Sequence, residues 1–152
     1  MIRPALAADR DALRAIAEGT QMFLGDELDH FAAMLDAELE SGAKPTLLVA
    51  DHGNGPEAAA YWQPEAMAQG VANLLFIGTR PEARRSGHGA ALLQAFEAEA
   101  RKANRLAIIE TASDAMFAPA WALYRGHGYS KEARIADYYD DGLDKLIFSK
   151  RL

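Results

Sequence analysis

The sequence contains no cysteine among its 152 residues. This absence excludes disulfide bonds, thiolate-ligated zinc, iron–sulfur clusters and a cysteine nucleophile, and it is compatible with a reducing compartment. Histidine is also scarce, and the four histidines show no paired spacing such as His-x-x-x-His. We therefore expect no metal site.

Long hydrophobic runs are missing as well. No stretch approaches the ~20 apolar residues of a membrane span, and the first residues, Met-Ile-Arg-Pro-Ala, lack the apolar run of a secretion signal. We expect a cytoplasmic protein that does not contact a membrane. Length and an ordinary share of hydrophobic and charged residues predict one globular domain spanning residues 1–152.

Basic residues are too few for a nucleic-acid-binding face, because the formal net charge is −6. Residues 1–70 contain twelve acidic and four basic side chains, a net charge of −8, whereas residues 71–152 contain ten and twelve, a net charge of +2. The split has two interpretations. The acidic half faces a cationic ligand and the basic half an anionic one, or the charges are scattered over a solvated surface.

The hydrophobic pattern predicts seven strands and four helices in the order βααβββαβαββ. A strand–helix–strand crossover among hairpins implies an α/β (α+β) fold with a mixed, mostly antiparallel sheet of about six to seven strands flanked by helices. We expect the strand over 71–78 to be the longest and central. The other strands are predicted over 2–4, 46–50, 58–62, 106–110, 129–134 and 143–149. One helix is predicted after Asp9 and ends near Gly19, a second begins after Asp26 and stops at Gly42, a third follows the turn 84–89 with apolar residues between 91 and 98, and a fourth covers 118–125.

A glycine-rich turn, Arg84-Arg85-Ser86-Gly87-His88-Gly89-Ala90, joins the predicted central strand to a helix. Unpaired N–H groups at a helix start attract anions, and glycines let a phosphate approach the backbone closely. The turn therefore predicts a phosphate site. Its spacing alone is equally typical of a turn built only for tight packing, and both interpretations stay open at this point.

The P-loop string does not occur in this sequence. The Gly-x-Gly-x-x-Gly dinucleotide fingerprint is also absent, because Leu92 stands where its third glycine belongs. The string Arg-x-x-Gly-x-Gly after Pro81 instead resembles the acetyl-CoA-binding signature of the GNAT N-acetyltransferase superfamily. A second stretch, residues 120–129 (AWALYRGHGY), resembles that family's Leu-Tyr helix end followed by Gly-Phe or Gly-Tyr. The specific match covers the chain from Val71 onward.

The resemblance implies the GNAT fold and acetyl-CoA as co-substrate, with no metal. The residues implied to contact the cofactor are Phe76, Ile77, Thr79, Arg84, Arg85, Ser86, Gly87, His88, Gly89, Ala90, Phe117 and Tyr124. Two positions depart from the family pattern. Arg85 stands where the family often has glycine, and Phe117 stands where it often has an asparagine that bonds the pantetheine arm. Strand backbone or another polar group must then hold that arm. We expect His88 to be exposed rather than bound to phosphate.

The resemblance also implies two catalytic residues. Tyr124 corresponds to the family's proton donor to the departing CoA thiolate, and a backbone N–H near Ile77 would lie close to the thioester oxygen. An amine with a pKa of ~10.4 costs about 4.6 kcal/mol to deprotonate at pH 7, so a base is needed. The central strand has no carboxylate, and Glu110 on the next strand is our candidate base, directly or through water. An aromatic anchor and an ordinary ion pair are the structural alternatives.

In such proteins the acceptor pocket lies between the first two helices and the last hairpin. Glu27 begins the second helix, while Tyr138 and Tyr139 fall in the hairpin, and aromatic rings beside carboxylates suit a cationic amine. The same tyrosines are equally typical of packing. Many proteins of this architecture form dimers, and the apolar N-terminal half would allow a homodimer.

These features predict an acetyl-CoA-dependent N-acetyltransferase acting on a primary amine of a small molecule or peptide. The main alternative is a GNAT-like domain that binds acyl-CoA without turnover, as a sensor or scaffold. A nucleotide-binding module of another family with a similar turn is a further alternative.

Overall fold

The computed structural model describes residues 1–23 and 25–152. Its strands and helices follow the predicted order βααβββαβαββ. The strands are β1 (Ile2–Pro4), β2 (Leu47–Asp51), β3 (Pro56–Pro64), β4 (Val71–Thr79), β5 (Leu106–Ala112), β6 (Ser130–Asp140) and β7 (Leu143–Arg151). The helices are α1 (Arg10–Gly19), α2 (Asp26–Glu40), α3 (His88–Ala100) and α4 (Ala118–Gly126).

The strands form one seven-stranded mixed sheet in the order β1-β2-β3-β4-β5-β7-β6. β4 and β5 are parallel and pair from Val71–Leu106 to Leu74–Ile109. The pairs β1–β2, β2–β3, β5–β7 and β6–β7 are antiparallel. The parallel pair follows from the α3 crossover, because parallel neighbours need a long connection between them. The predicted fold class is confirmed.

The predicted central strand does occupy the middle of the sheet, but it is not the longest strand. β6 contains eleven residues, whereas β4 contains nine. Every residue of β6 is exposed at the edge of the sheet, and its sequence is mostly polar. A hydrophobic pattern could detect only its first part, because edge strands need few apolar residues.

Two compact units make up the chain, and the first contains residues 1–62 and 76–99. In this unit α1 and α2 pack on one face of the sheet around Leu13, Ile16 and Leu35, which are at most 2% exposed. On the other face the ring of Phe96 from α3 lies 5.5 Å from that of Trp62. Helices therefore bury apolar side chains on both faces of this part of the sheet.

The second unit contains residues 63–75 and 100–152. It combines β5, β6 and β7 with α4, and its aromatic core brings the ring of Tyr124 to 5.6 Å from that of Phe148. The boundary between the units falls inside β3 and β4. The single domain over residues 1–152 stays a prediction. Within the described residues, the helices are all too short or too polar to cross a membrane.

Candidate active site

The turn between β4 and α3 has the backbone geometry of an anion cradle. After a one-turn 3-10 helix at Pro81–Ala83, the chain turns through positive φ at Arg85 (64°) and Gly87 (81°). α3 begins at His88. The positive φ of Arg85 explains why glycine suits this position in the resembling family, since glycine alone adopts that region without steric cost.

The turn is open to solvent on one side. The side chains of Arg84, Arg85 and Ser86 are exposed, and the guanidinium of Arg84 donates a hydrogen bond to the carbonyl of Gly19 at 3.2 Å. Space around the Cα of Gly87 is also open, because a Cβ built there meets no atom within 4 Å. An anion can therefore approach the turn from this side.

His88 does not have the exposed position that we expected. It is only 6% exposed, and its Nε2 lies 2.8 Å from Oε2 of Glu57 on β3. As the first residue of α3, it contributes its backbone to the cradle while its side chain turns inward. The burial of the His88 side chain could not be predicted from the sequence, because its partner Glu57 lies far away along the chain.

Backbone N–H groups give the turn its electrostatic character. The N–H of Ala91 bonds to the carbonyl of Gly87 at 3.1 Å, which closes the first turn of α3. The N–H groups of His88, Gly89 and Ala90 precede that bond and have no acceptor inside the helix. Together with the helix dipole they favour an anion at this end.

The basic residues after α3 do not contribute to this cradle. Arg101, Lys102 and Arg105 belong to the basic half of the sequence, but they follow the C-terminal end of α3. A helix of 13 residues is about 20 Å long, and the cradle precedes its other end. Only Arg84 and Arg85 place positive charge on the turn itself.

β4 supplies the other predicted cofactor contacts in the first unit. The side chain of Phe76 is 2% exposed and packs against the rings of Phe23 and Phe31, so only its backbone can contact a ligand. Ile77 and Thr79 are partly exposed. Strand alternation explains the difference, because successive side chains point to opposite faces of the sheet.

Tyr124 lies on α4 in the second unit and is 3% exposed. Burial raises the pKa of its phenol above the ordinary value, so the group is protonated at neutral pH. Phe117, half-buried, stands immediately before α4. One turn before Tyr124, the buried Nε1 of Trp121 has no hydrogen-bond partner among the described residues. The sequence does not reveal this unpaired donor, because a tryptophan at this position of a helix is equally typical of an apolar residue packed against the core.

Glu110, near the end of β5, pairs with a lysine that the sequence analysis also missed. Its Oε2 lies 2.9 Å from Nζ of Lys145 on β7, and the two side chains are 26% and 10% exposed. Nζ of Lys145 also lies 4.2 Å from the ring centroid of Tyr138. Burial lowers the pKa of Lys145, but the hydrogen bonds and charges of Glu110 and Tyr138 outweigh it and raise the pKa overall. The antiparallel register of β5 and β7 creates this group.

The predicted acceptor residues are divided between the two units. Glu27 is exposed in the first turn of α2. In the second unit, Tyr138 and Tyr139 stand edge to face with centroids 4.9 Å apart, and they are 53% and 46% exposed. Partial burial raises the pKa of Tyr139. One face of Tyr138 already contacts Lys145, so an acceptor cation would use other surfaces.

A family model for the acetyltransferase (GNAT) domain matches residues 43–131, which include the cradle, β4, Glu110 and Tyr124. The match covers more than half of the chain. The chain belongs to the GNAT acetyltransferase family. A search of curated proteins found none that matches this GNAT chain.

Solved structures agree with the GNAT fold. A putative acetyltransferase of the GNAT family from Desulfovibrio desulfuricans is 28% identical, with a TM-score of 0.90 over 99% of this chain and 98% of that one. A ribosomal-protein-alanine N-acetyltransferase from Brucella melitensis is 24% identical, with a TM-score of 0.79 over 100% and 99% of the two chains. A putative acetyltransferase from Salmonella typhimurium, solved with its cofactor acetyl-CoA, is 18% identical, with a TM-score of 0.78 over 100% and 93%.

Proposed function

We propose that this GNAT protein transfers an acetyl group from acetyl-CoA to a primary amine of a small molecule or peptide. The cradle at the start of α3 is the observation that carries the proposal. Positive φ at Gly87 (81°) and open space around its Cα leave room for a phosphate to approach the backbone N–H groups at the start of α3, which have no acceptor inside the helix. The residues that would hold the CoA pyrophosphate are Arg84, Arg85, Ser86, Gly87, His88, Gly89 and Ala90, with His88 acting through its backbone.

The pantetheine arm would extend along the second half of β4. Pairing with β5 runs only as far as Leu74, in a strand of nine residues. Beyond that point Leu75 is 39% exposed, which is unusual in a central strand. Strand backbone there can pair with the amides of the arm, and the N–H of Ile77 would stabilise the oxyanion of the tetrahedral intermediate. The buried indole N–H of Trp121, which has no partner among the described residues, would be free to donate a hydrogen bond in place of the asparagine that the family often has where Phe117 stands.

Direct attack requires a neutral amine. Its nitrogen lone pair forms a bond to the thioester carbon, the carbon–sulfur bond breaks, and the amine loses a proton. We propose that Glu110 accepts this proton through a water held at Oε1, since Oε2 is engaged by Lys145. With Oε2 engaged, only the second oxygen of the carboxylate is left for this contact, and a water bridging it to the amine would relay the proton.

The departing thiolate would receive a hydrogen bond from Tyr124. An ordinary phenol has a pKa of ~10 and a thiol of ~8.5, so complete proton transfer is already uphill by about 2 kcal/mol. Burial raises the pKa of Tyr124 further, which favours stabilisation by a hydrogen bond over transfer of the proton. The thiolate then takes its proton from water.

The acceptor would approach from surfaces that include Glu27, Tyr138 and Tyr139. Acidic residues in the first turn of α2, Asp26, Glu27 and Asp29, favour a cationic amine, although Asp29 already pairs with Arg14. We place the protein in the cytoplasm and propose no nucleic-acid partner; the apolar N-terminal half would allow a homodimer.

The first test is calorimetric titration with acetyl-CoA, comparing wild type with Gly87→Ala and Gly42→Ala. Both glycines have positive φ (81° and 95°) and open space for a Cβ, so both substitutions impose similar backbone strain. We expect Gly87→Ala to weaken binding at least about tenfold, since a methyl group enters the phosphate path. Gly42→Ala should bind like wild type. Absence of acetyl-CoA binding by wild type would refute the proposal.

A CoA-binding sensor without turnover is the second candidate, favoured by the ion pair that engages Glu110 and by the absence of a carboxylate on β4. Release of free CoA separates the two functions when amino acids, polyamines, aminoglycosides and peptides are offered as acceptors. Tight acetyl-CoA binding without thiol release from any acceptor would support the sensor. Thiol release with one acceptor class would establish the enzyme.

A further inference from the structure

Three side chains with metal-binding atoms meet beside the cradle. His52 comes from the turn between β2 and β3, Glu57 from β3 and His88 from the first position of α3. One ligand atom from each residue lies within 4.8 Å of the others. We propose that these residues form a binding site for a divalent transition metal, with Zn²⁺ as its preferred ion. The site is separate from the acetyl-transfer chemistry proposed above.

The donor set fits zinc chemically. Two imidazole nitrogens and one carboxylate oxygen are ordinary zinc ligands, and three protein ligands leave a fourth position for water. Tetrahedral ligands at about 2.0–2.1 Å from zinc are separated from one another by about 3.3 Å. The present separations extend from the 2.8 Å contact of His88 with Glu57 up to 4.8 Å. Side-chain rotations that move the ligand atoms by about an ångström would therefore bring all three to the distances that zinc requires.

The turn that carries His52 is held by its own hydrogen bonds. Oδ1 of Asp51 accepts hydrogen bonds from the N–H groups of Gly53 at 2.8 Å and Gly55 at 3.1 Å. Oδ2 of the same residue pairs with Arg3 at 2.7 Å. Both oxygens of Asp51 are thus engaged, one by the turn and one by Arg3, and the adjacent His52 is left to face His88, with ring centroids 5.2 Å apart. Such preorganisation lowers the cost of bringing the ligands together.

One of the three ligands lies on the surface and the other two are more buried, so an ion could reach the site from solvent. The side chains of His88 and Glu57 are 6% and 38% exposed, whereas His52 stands on the surface. Metal could enter past His52 and replace the hydrogen bond between His88 and Glu57. Imidazole binds a metal through an unprotonated nitrogen, so the ion would compete with protons for these ligands. The competing explanation is a structural hydrogen bond between His88 and Glu57 that needs no ion.

The experiment uses tag-free protein treated with a chelator and titrated calorimetrically with ZnCl₂. We expect one bound ion per chain. His52→Ala should weaken binding at least about tenfold, because loss of an outer-shell partner alone costs 10–100-fold. His52 is exposed, so the substitution should not disturb folding. His30→Ala, which removes an exposed histidine outside the cluster on α2, is the matched control and should bind like wild type.

Two further measurements exclude nonspecific binding. Bound Co²⁺ should give the visible absorption of a four-coordinate site in wild type and lose it in Glu57→Gln, which keeps the shape of the side chain. At equal concentration, Zn²⁺ should raise the midpoint of thermal unfolding of wild type by more than that of His52→Ala. Failure of wild type to bind Zn²⁺, or equal binding by wild type and His52→Ala, would overturn the proposal and leave only a structural hydrogen bond.

Discussion

Tyr124→Phe is the sharpest test of the proposed chemistry, because it removes one hydroxyl group from a buried site. The ring remains, so its packing against Phe148, with centroids 5.6 Å apart, should persist. A hydrogen bond to a charged group contributes about 1.5–3 kcal/mol, and 1.36 kcal/mol is a tenfold change in rate. We therefore expect kcat to fall about 10- to 150-fold while the midpoint of thermal unfolding changes little.

The pH profile adds a second expectation. Since burial raises the pKa of Tyr124 above the ordinary tyrosine value, its phenol stays protonated throughout the usual assay range. The rate of wild type should show no loss from phenol ionisation below about pH 10. An alkaline decline that is present in wild type and absent from Tyr124→Phe would contradict this assignment.

Tyr129→Phe provides the matched control. Tyr129 is equally buried, at 3% exposed, and its ring lies 6.3 Å from that of Tyr124. Free CoA released with the best acceptor of the amine panel measures turnover for both variants. We expect Tyr129→Phe to stay within about twofold of wild type. Near wild-type turnover by Tyr124→Phe, or an equal loss in both variants, would refute the role of Tyr124.

Two further predictions concern stability. A Cβ at Gly78 would lie 2.6 Å from Thr20 and 2.7 Å from the ring of Phe76. Gly78→Ala should therefore lower the free energy of unfolding, measured in urea, by about 1–3 kcal/mol. Gly126→Ala is the control and should not lower it, because a Cβ at Gly126 meets open space. Hydrogen bonds from Arg3 lower the pKa of Asp9 in the folded state, so the ionised carboxylate stabilises the fold. This contribution to the free energy of unfolding is fully present above the unfolded-state pKa of ~3.9 and is lost as the pH falls through the folded-state value. The urea midpoint should therefore drop below about pH 4 in wild type and less steeply in Arg3→Met; equal slopes would contradict this.

The element order and the family were predictable because both depend on local sequence. Hydrophobic periodicity reports which side chains face a core, and the Arg-x-x-Gly-x-Gly string and the Leu-Tyr helix end are short motifs. The full extent of β6 was not predictable, since its eleven residues are all exposed and no buried face marks its second half. The start of α2 was displaced by one residue, because Asp26 is its first helical residue and Gly25 precedes it.

In the candidate site, too, the features that belong to one local motif were predictable and the contacts between separate elements were not. The sequence by itself determined the positions of the cradle and Tyr124, because each belongs to one continuous motif. Tertiary structure alone decided that His88 turns inward to Glu57, that His52 joins them, and that Lys145 engages Glu110. These groups come from separate elements whose approach depends on strand register and helix packing. No local pattern encodes such contacts, so only the folded chain shows which charges are paired and which donors are left for a ligand.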